Sequence, residues 1–362
     1  MPRRTSRWTS LAVVVAMCGA ALFVWTVRAA GTDTVVDGVK RIGAGFLVVL
    51  LLGGARHLCR AAAWRMSIEP PDRLSLGDAF AVFLAGDSLG NVTPFGFLIS
   101  EPSKALFARK RISLKAAVSG LTIENLFYCS SVALMLGTGT MALLASFRVQ
   151  APLRAAGLLT LVVAAGLSAL GAWVVVTRRR VVSGILDRLI DANVGRKYVE
   201  PHRVHVAEIE DHVYGFVGRW PRRVLPILGL EAAYHGAGVA EIWIVLWLVA
   251  GAPPGLLAAF VLECVNRTIT IAFQFVPMWI GVDEASSGLV ARALGFGSAA
   301  GVSLALVRKA RIAVWTALGL TLLVREGISL RGLGERADLI AAEFDQERGR
   351  RPPHSISNVP RS

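Results

Sequence analysis

Long apolar runs decide what this chain can become. Several approach the ~20 residues that carry a helix across a bilayer, and they recur from Leu11–Val27 to Ser298–Val324 with basic loops between them. With 54% hydrophobic residues and a mean hydropathy of +0.57 over 362 residues, a disordered chain and an ordinary soluble domain are both poor fits. The expected class is an all-α polytopic membrane protein with about seven to eight transmembrane helices. Residues 1–325 would form the membrane domain, and 326–362 a short charged tail ending in a Pro/Ser-rich stretch.

In chain order, Arg3, Arg4 and Arg7 precede Leu11–Val27. A signal peptide with Ala29-Ala30 as its cleavage region is one reading. Trp25 and the length of the run favour a retained first helix. A polar loop, Arg28–Arg41, leads to a span from Ile42 to about His57. A basic connector with Arg56, Arg60, Arg65 and Arg73 follows. Further spans are Ala116–Leu136, Leu153–Val176, Val224–Ala250, Leu256–Val276 and Ser298–Val324. The connector 177–223 carries two amphipathic surface helices, one over Val181–Ile190 and one over Val206–Val217 with Val206, Ile209, Val213 and Phe216 on one face.

Two segments break this pattern. Pro277–Arg292 carries a proline, two glycines and the acid pair Asp283–Glu284 among apolar helices. Backbone broken by Pro and Gly at membrane depth survives only where protein buries it or a watery cavity receives it, and an acid there marks a candidate functional site. In the first half, Asn91–Lys104 holds Pro94, Gly96, Glu101 and Lys104. Pro94 stands seven residues before Glu101, as Pro277 stands seven before Glu284. Paired interruptions, one per half, are expected of a transporter built from repeats. Both segments are therefore expected to form re-entrant hairpins, with Ser100 capping a helix that starts at Glu101-Pro102. Topology closes if the arm from Glu284 to Leu294 also crosses.

The net charge is +14. In a membrane chain this reads as the positive-inside bias rather than as a nucleic-acid surface. Residues 1–10, 56–73, 104–115, 177–223 and the tail are placed on the cytoplasmic side, with a cytoplasmic N-terminus. Cys18, Cys59, Cys129 and Cys264 lie in or beside apolar runs without metal-ligand spacing. His205, Glu208 and His212 form an HxxE-like pattern that a solvated helix face explains better than a metal site. No metal and no cofactor is expected.

Glu101 and Glu284 each follow a glycine-containing break, where a helix N-terminus offers free N–H groups. Glu284 is either a capping acid or a carboxylate facing a cavity. Lys104 can pair with Glu101 or grip a lipid phosphate. Arg308, with Lys309 beside it, needs a partner, and Glu124 or Glu284 is the first expectation. Glu263, Asn266 and Arg267 share a helix face, as do Glu231 and His235, a pair open to a proton-relay role. The sequence has no GxxxxGK[ST], GxSxG or HExxH motif.

At the two broken segments the chain resembles the transmembrane region of the lysylphosphatidylglycerol synthase family, also described as flippase-like. The first block is Pro94, Gly96, Glu101, Pro102, Lys104 and then Glu124. The second is Pro277, Gly281, Val282, Glu284 and then Leu306-Val307-Arg308-Lys309-Ala310-Arg311. Where the family has glycines just before the first acid, this chain has Ile99 and Ser100. The LExxN run at Leu262–Asn266 and the RKAR run look most like the hopanoid-associated branch. The resemblance implies a lipid-translocating domain without the aminoacyl-transferase domain of the full synthases.

The resulting expectation is ATP-independent flipping or scrambling of a lipid or lipid-linked headgroup across a bacterial-type inner membrane. Glu101, Lys104, Asp283, Glu284 and Arg308 would line the path, supported by Asn91, Pro94, Gly96, Glu124, Glu263, Arg267, Pro277, Gly281 and Lys309. Partners would be membrane lipids with anionic or lipid-linked headgroups, and a lipid-synthesis enzyme if the chain scaffolds one. A membrane-embedded enzyme on a lipid-linked substrate is the other rival. The oligomeric state is open.

Overall fold

A computed structural model describes residues 17, 21–93, 96–147, 149–177, 181–192, 200 and 203–325. Every regular element among them is helical. The helices are α1 (Ala21–Ala30), α2 (Thr32–Ile42), α3 (Gly45–Ser67), α4 (Leu76–Val92), α5 (Phe97–Ala108), α6 (Leu114–Ser146) and α7 (Ala151–Thr177). After these come α8 (Val181–Asp191), α9 (Arg203–Arg219), α10 (Pro221–Ala250), α11 (Leu256–Ala272), α12 (Val282–Ala293) and α13 (Ser298–Arg325). The chain up to Gly319 forms one compact unit. Of the second, Leu320–Ser362, only the end of α13 is described. The tail beyond 325, Pro94, most of the expected first span and His202 lie outside the described residues.

Within the first unit α3 and α10 pack along each other, α6 pairs with α7, and α4 folds back on α5. The central apolar cluster joins Val49 of α3, Ile242, Val245 and Leu246 of α10, Leu262 of α11 and Leu304 of α13. Among the described residues four helical stretches are long and apolar enough to cross a membrane: Gly45–Ser67, Leu114–Ser146, Ala151–Ala169 and Pro221–Ala250.

Four local expectations are corrected. Arg28–Arg41 is not a loop: Val35 and Ile42 are buried on one face of α2, at the i, i+7 spacing that a short amphipathic helix needs. The second span runs on to Ser67, so Arg56 and Arg60 sit on a helix inside the bundle rather than in a connector. The third span likewise continues to Ser146. Finally, α12 has 12 residues, about 18 Å at 1.5 Å per residue. That is too short for the arm after Glu284 to cross a ~30 Å hydrocarbon core alone.

Both broken segments form packed hairpins. α4 ends at Thr93, and α5 begins after Gly96. The turn is tight because a Cβ on Gly96 would lie 1.9 Å from the Gly90 carbonyl oxygen. α11 ends at Phe273, and a single turn at Pro277–Trp279 precedes α12. Met278 and Trp279 hold positive φ of 50° and 52°, and Gly281 holds 84°. Such backbone is costly for non-glycine residues and clusters at functional sites. The turn Pro277–Trp279 packs against α4, which brings the first hairpin to the second break.

α12 lies directly on α13. A Cβ at Gly301 would come 2.1 Å from the Ser287 carbonyl oxygen, a backbone atom that cannot swing away. Gly301→Val is expected to lower stability by about 1–3 kcal/mol or more. Gly229→Ala is expected to raise it by up to about 1 kcal/mol through helix propensity alone, because its added Cβ meets nothing within 4 Å. Thermal unfolding of the two variants in one detergent checks the contrast.

Candidate functional site

The charges that the sequence scatters through its apolar helices gather into one long network and a second, smaller cluster that starts three residues away on α13. On α3, Arg56 and Arg60 are one turn apart and face inward. The Gly53-Gly54 pair lets α13 approach α3 closely, since Cβ atoms there would sit 2.7 Å from Arg311 Cδ and 2.6 Å from the Trp315 ring. Arg56 reaches Glu263 of α11 at 3.2 Å and Glu241 of α10 at 3.6 Å. Arg311 of α13 holds the other oxygen of Glu241 at 2.9 Å. Glu263 also takes Arg267 at 3.1 Å, and Arg267 donates to the Tyr128 hydroxyl at 3.2 Å. The Arg56 guanidinium stacks 4.6 Å over the Tyr234 ring. Such cation–π contact gains strength where water is excluded.

Arg60 carries the network to the first hairpin. It grips Glu124 of α6 with two nitrogens, the Nη2–Oε2 contact being 2.8 Å, and donates to Asn125 Oδ1 at 3.2 Å. Asn125 Nδ2 donates to Glu101 Oε2 at 2.8 Å. Lys104 lies between Glu101 and Asp87 at 2.8 Å from each. Its ammonium sits 3.7 Å over the Phe83 ring and is 1% exposed. Gly86 opens the space: a Cβ there would meet Lys104 Cγ at 2.4 Å. Asp87 is further held by Ser100 Oγ at 3.1 Å and faces His57 Nδ1 at 3.4 Å.

At the second hairpin, Asp283 accepts from Arg308 at 2.5 Å and from Lys309 at 3.2 Å. Arg308 also donates to Ser287 Oγ at 2.8 Å. Lys309 reaches Glu284 at 3.1 Å. The other Glu284 oxygen accepts the Gly281 N–H at 2.8 Å, which closes the first turn of α12. Arg308 and Arg311, three residues apart on α13, link this cluster to the middle of the network. Taken together, Arg56, Arg60, Lys104, Arg267, Arg308, Lys309 and Arg311 balance Asp87, Glu101, Glu124, Glu241, Glu263, Asp283 and Glu284 one for one. Buried ions are tolerated when each finds a partner, and Glu241 meets Arg56 and Arg311 as ion pairs without a hydrogen bond.

The family model for the lysylphosphatidylglycerol synthase TM region matches residues 8–319. The chain belongs to this family. It is therefore a multi-pass membrane protein, and the network lies within the family region. No curated protein and no solved structure matches the chain.

The structure brings Glu101 to Lys104, and Asp283, Glu284, Arg308 and Lys309 to one another. Glu263 and Arg267 pair as expected and join the middle of the network. Three expectations change. Arg308 binds Asp283, not Glu124 or Glu284, because Glu124 faces Arg60 and Glu284 turns back to its own N-cap. Glu101 is the fifth residue of α5, so it does not stand at a helix start as Glu284 does. Ser100 lies inside α5 and bonds Asp87 rather than capping.

Asn91 lies outside the network and ties α4 to α13 through Thr316 at 3.0 Å. Gly96 and Gly281 shape the two breaks, and Pro277 opens the turn. In the connector, Glu208 pairs with Lys115 at 2.8 Å, and His212 bonds the Glu208 carbonyl. The side chain of His205 lies outside the described residues. Sequence reasoning missed Arg56, Arg60, Asp87, Asn125, Tyr128, Glu241 and Arg311 as site residues. For the first two the signal was available: two arginines at i, i+4 in register with the apolar run before them.

Proposed function

We propose that this chain moves a lipid or lipid-linked headgroup across a bacterial-type inner membrane without nucleotide hydrolysis. One observation carries the reading: charged pairs run through the middle of an apolar bundle from the first hairpin, by way of Tyr128 between Arg60 and Arg267, to Arg311 on α13, three residues from the Arg308–Asp283 pair of the second hairpin. The end at Asp87 and Glu101 is the open one, with side chains 26% and 33% exposed, whereas Glu124, Glu241, Glu263 and Glu284 are shut off. A headgroup phosphate can take the donors of Lys104 or Arg60 in place of a carboxylate. The freed carboxylate can then hold a cationic group on the same lipid. Each exchange replaces one buried ion pair by another, so no step leaves a bare charge in a low dielectric. In this reading α11 and α13 are further crossings, the α4–α5 hairpin and the short α12 are re-entrant, and the N-terminus and connector 177–223 face the cytoplasm.

The test is translocation of fluorescent lipids in proteoliposomes, wild type beside Glu101→Gln. The wild type is expected to abolish leaflet protection quickly. The variant, which loses a partly exposed charge, is expected to slow exchange about tenfold, equivalent to about 1.4 kcal/mol of barrier. Wild-type exchange no faster than empty vesicles with anionic, zwitterionic and polyprenyl-linked lipids would overturn the function. Equal rates in both proteins would remove Glu101 from the path.

A further inference from the structure

The network leaves a buried acid of α10 outside it. Glu231 of α10 is 1% exposed. Its Oε1 has no hydrogen-bond partner, and its Oε2 faces the Ser131 hydroxyl of α6 at 3.4 Å. Ser131 Oγ is also 2.8 Å from the Tyr128 carbonyl oxygen and 3.0 Å from His235 Nε2. His235 Nδ1, like Glu231 Oε1, is buried without a partner.

A hydroxyl has one proton and two lone pairs. The Tyr128 carbonyl can only accept, so the Ser131 proton points there. His235 then donates through Nε2–H, and a protonated Glu231 can donate through Oε2 to the remaining lone pair. The neutral Nε2–H form of His235 leaves Nδ1 as a bare lone pair, in keeping with its missing partner. Charge counting agrees. The network is neutral without Glu231, and an ionised carboxylate buried away from any bonded cation is strongly disfavoured.

We infer that Glu231, with Ser131 and His235, is a proton-binding site whose occupancy controls the Arg60–Glu124 clamp. The control of translocation rests on the function proposed above; the proton site itself does not. The titratable and charged groups around Glu231 are Cys59 and Arg60 on α3, and Glu124 and Cys129 on α6. His235 on its own helix feels Arg56, Arg267 and Glu263. Release breaks the Glu231 Oε2–H bond and hands the proton to water, with His235 Nδ1 an open acceptor beside it. The carboxylate left behind adds a negative charge near the Arg60–Glu124 pair. Arg60 also holds Asn125, which holds Glu101, so the change is felt at the open end of the network.

Infrared difference spectra of the full chain in lipid nanodiscs, stepped from acid to alkaline pH, test the site. The wild type is expected to lose a protonated-carboxyl C=O band. Glu231→Gln is expected to lack that band. Ser131→Ala, which removes a hydrogen-bond partner and keeps the acid, is expected to retain it at a shifted frequency. Glu208→Gln, an exposed acid, should leave it unchanged. A band that persists in Glu231→Gln, or that is unshifted in Ser131→Ala, overturns the site.

Lipid exchange then tests the control. The wild-type rate is expected to rise with pH by up to about tenfold per unit, the limit for one proton, and Glu231→Gln is expected to stay flat at the acid rate. A Glu231→Gln profile that follows the wild type overturns the control of the clamp. If no protein exchanges lipid at any pH, the translocation reading fails while the infrared band alone supports or overturns the proton site.

Discussion

Replacing Arg60 by alanine is expected to lower the stability of the purified protein by about 3–5 kcal/mol, the range for leaving one member of a buried ion pair uncompensated, and to bring lipid exchange down to the background of empty vesicles. Three contacts are lost at once. Glu124, fully buried, loses its two-pronged guanidinium. Asn125 loses the donor that orients it toward Glu101. The ring of Tyr128 loses a cation 3.7 Å from its centre. The double variant Arg60→Met/Glu124→Met is expected to regain most of the stability, since apolar side chains of similar volume often replace a buried pair without loss. It should regain none of the exchange. By contrast Arg111→Ala, at a pair with Asp78 whose side chains are 29% and 36% exposed, should cost about 0–1 kcal/mol. Denaturant unfolding in detergent, run beside the vesicle assay, separates the two effects. A stable, inactive double variant would place Arg60 on the path; an active one would make the pair purely structural.

The helical class, the two breaks and the acids inside them were legible because each is a local signal. An apolar run of membrane length has one inexpensive conformation in lipid. A proline and glycines beside an acid disrupt that run in a way that can be read residue by residue. Connector helix α9 was equally legible, since Val213 and Phe216 are buried on the face that the spacing of Val206, Ile209, Val213 and Phe216 defines. What could not be read was which acid meets which base. Arg308 had several acids within sequence reach of a plausible pairing, and only the seating of α12 on α13 at Gly301 decides for Asp283. Arg56 and Arg60 were passed over for a different reason, although their i, i+4 register with the apolar run was there to be read. They lie where an apolar run gives way to charge, and a basic loop and a helix with an inward-facing basic stripe look alike there. The buried position of Lys104, within what reads as a basic cytoplasmic cluster, was lost in the same way.

That seating yields the second large effect. Asp283→Ala is expected to cost about 3–5 kcal/mol, and Glu284→Gln only about 1 kcal/mol, although the matched Pro-to-Glu spacing of the two halves points to Glu284. Asp283 binds Arg308, Lys309 and the Ser287 hydroxyl. Without it Arg308 keeps only Ser287 Oγ among its hydrogen-bond partners, a buried cation with no anion. Glu284→Gln is milder on both counts. The amide oxygen still accepts the Gly281 N–H, and Lys309 keeps Asp283. Adding Arg308→Met to Asp283→Ala should recover much of the loss, because it removes the stranded charge rather than restoring the acid. If unfolding experiments instead rank Glu284→Gln as the more damaging change, the N-terminal turn of α12 holds the second hairpin in place. If Asp283→Ala dominates and Arg308→Met rescues it, the hairpin is held by charge across the α12–α13 contact. The backbone bond at Gly281 then only sets where the helix begins.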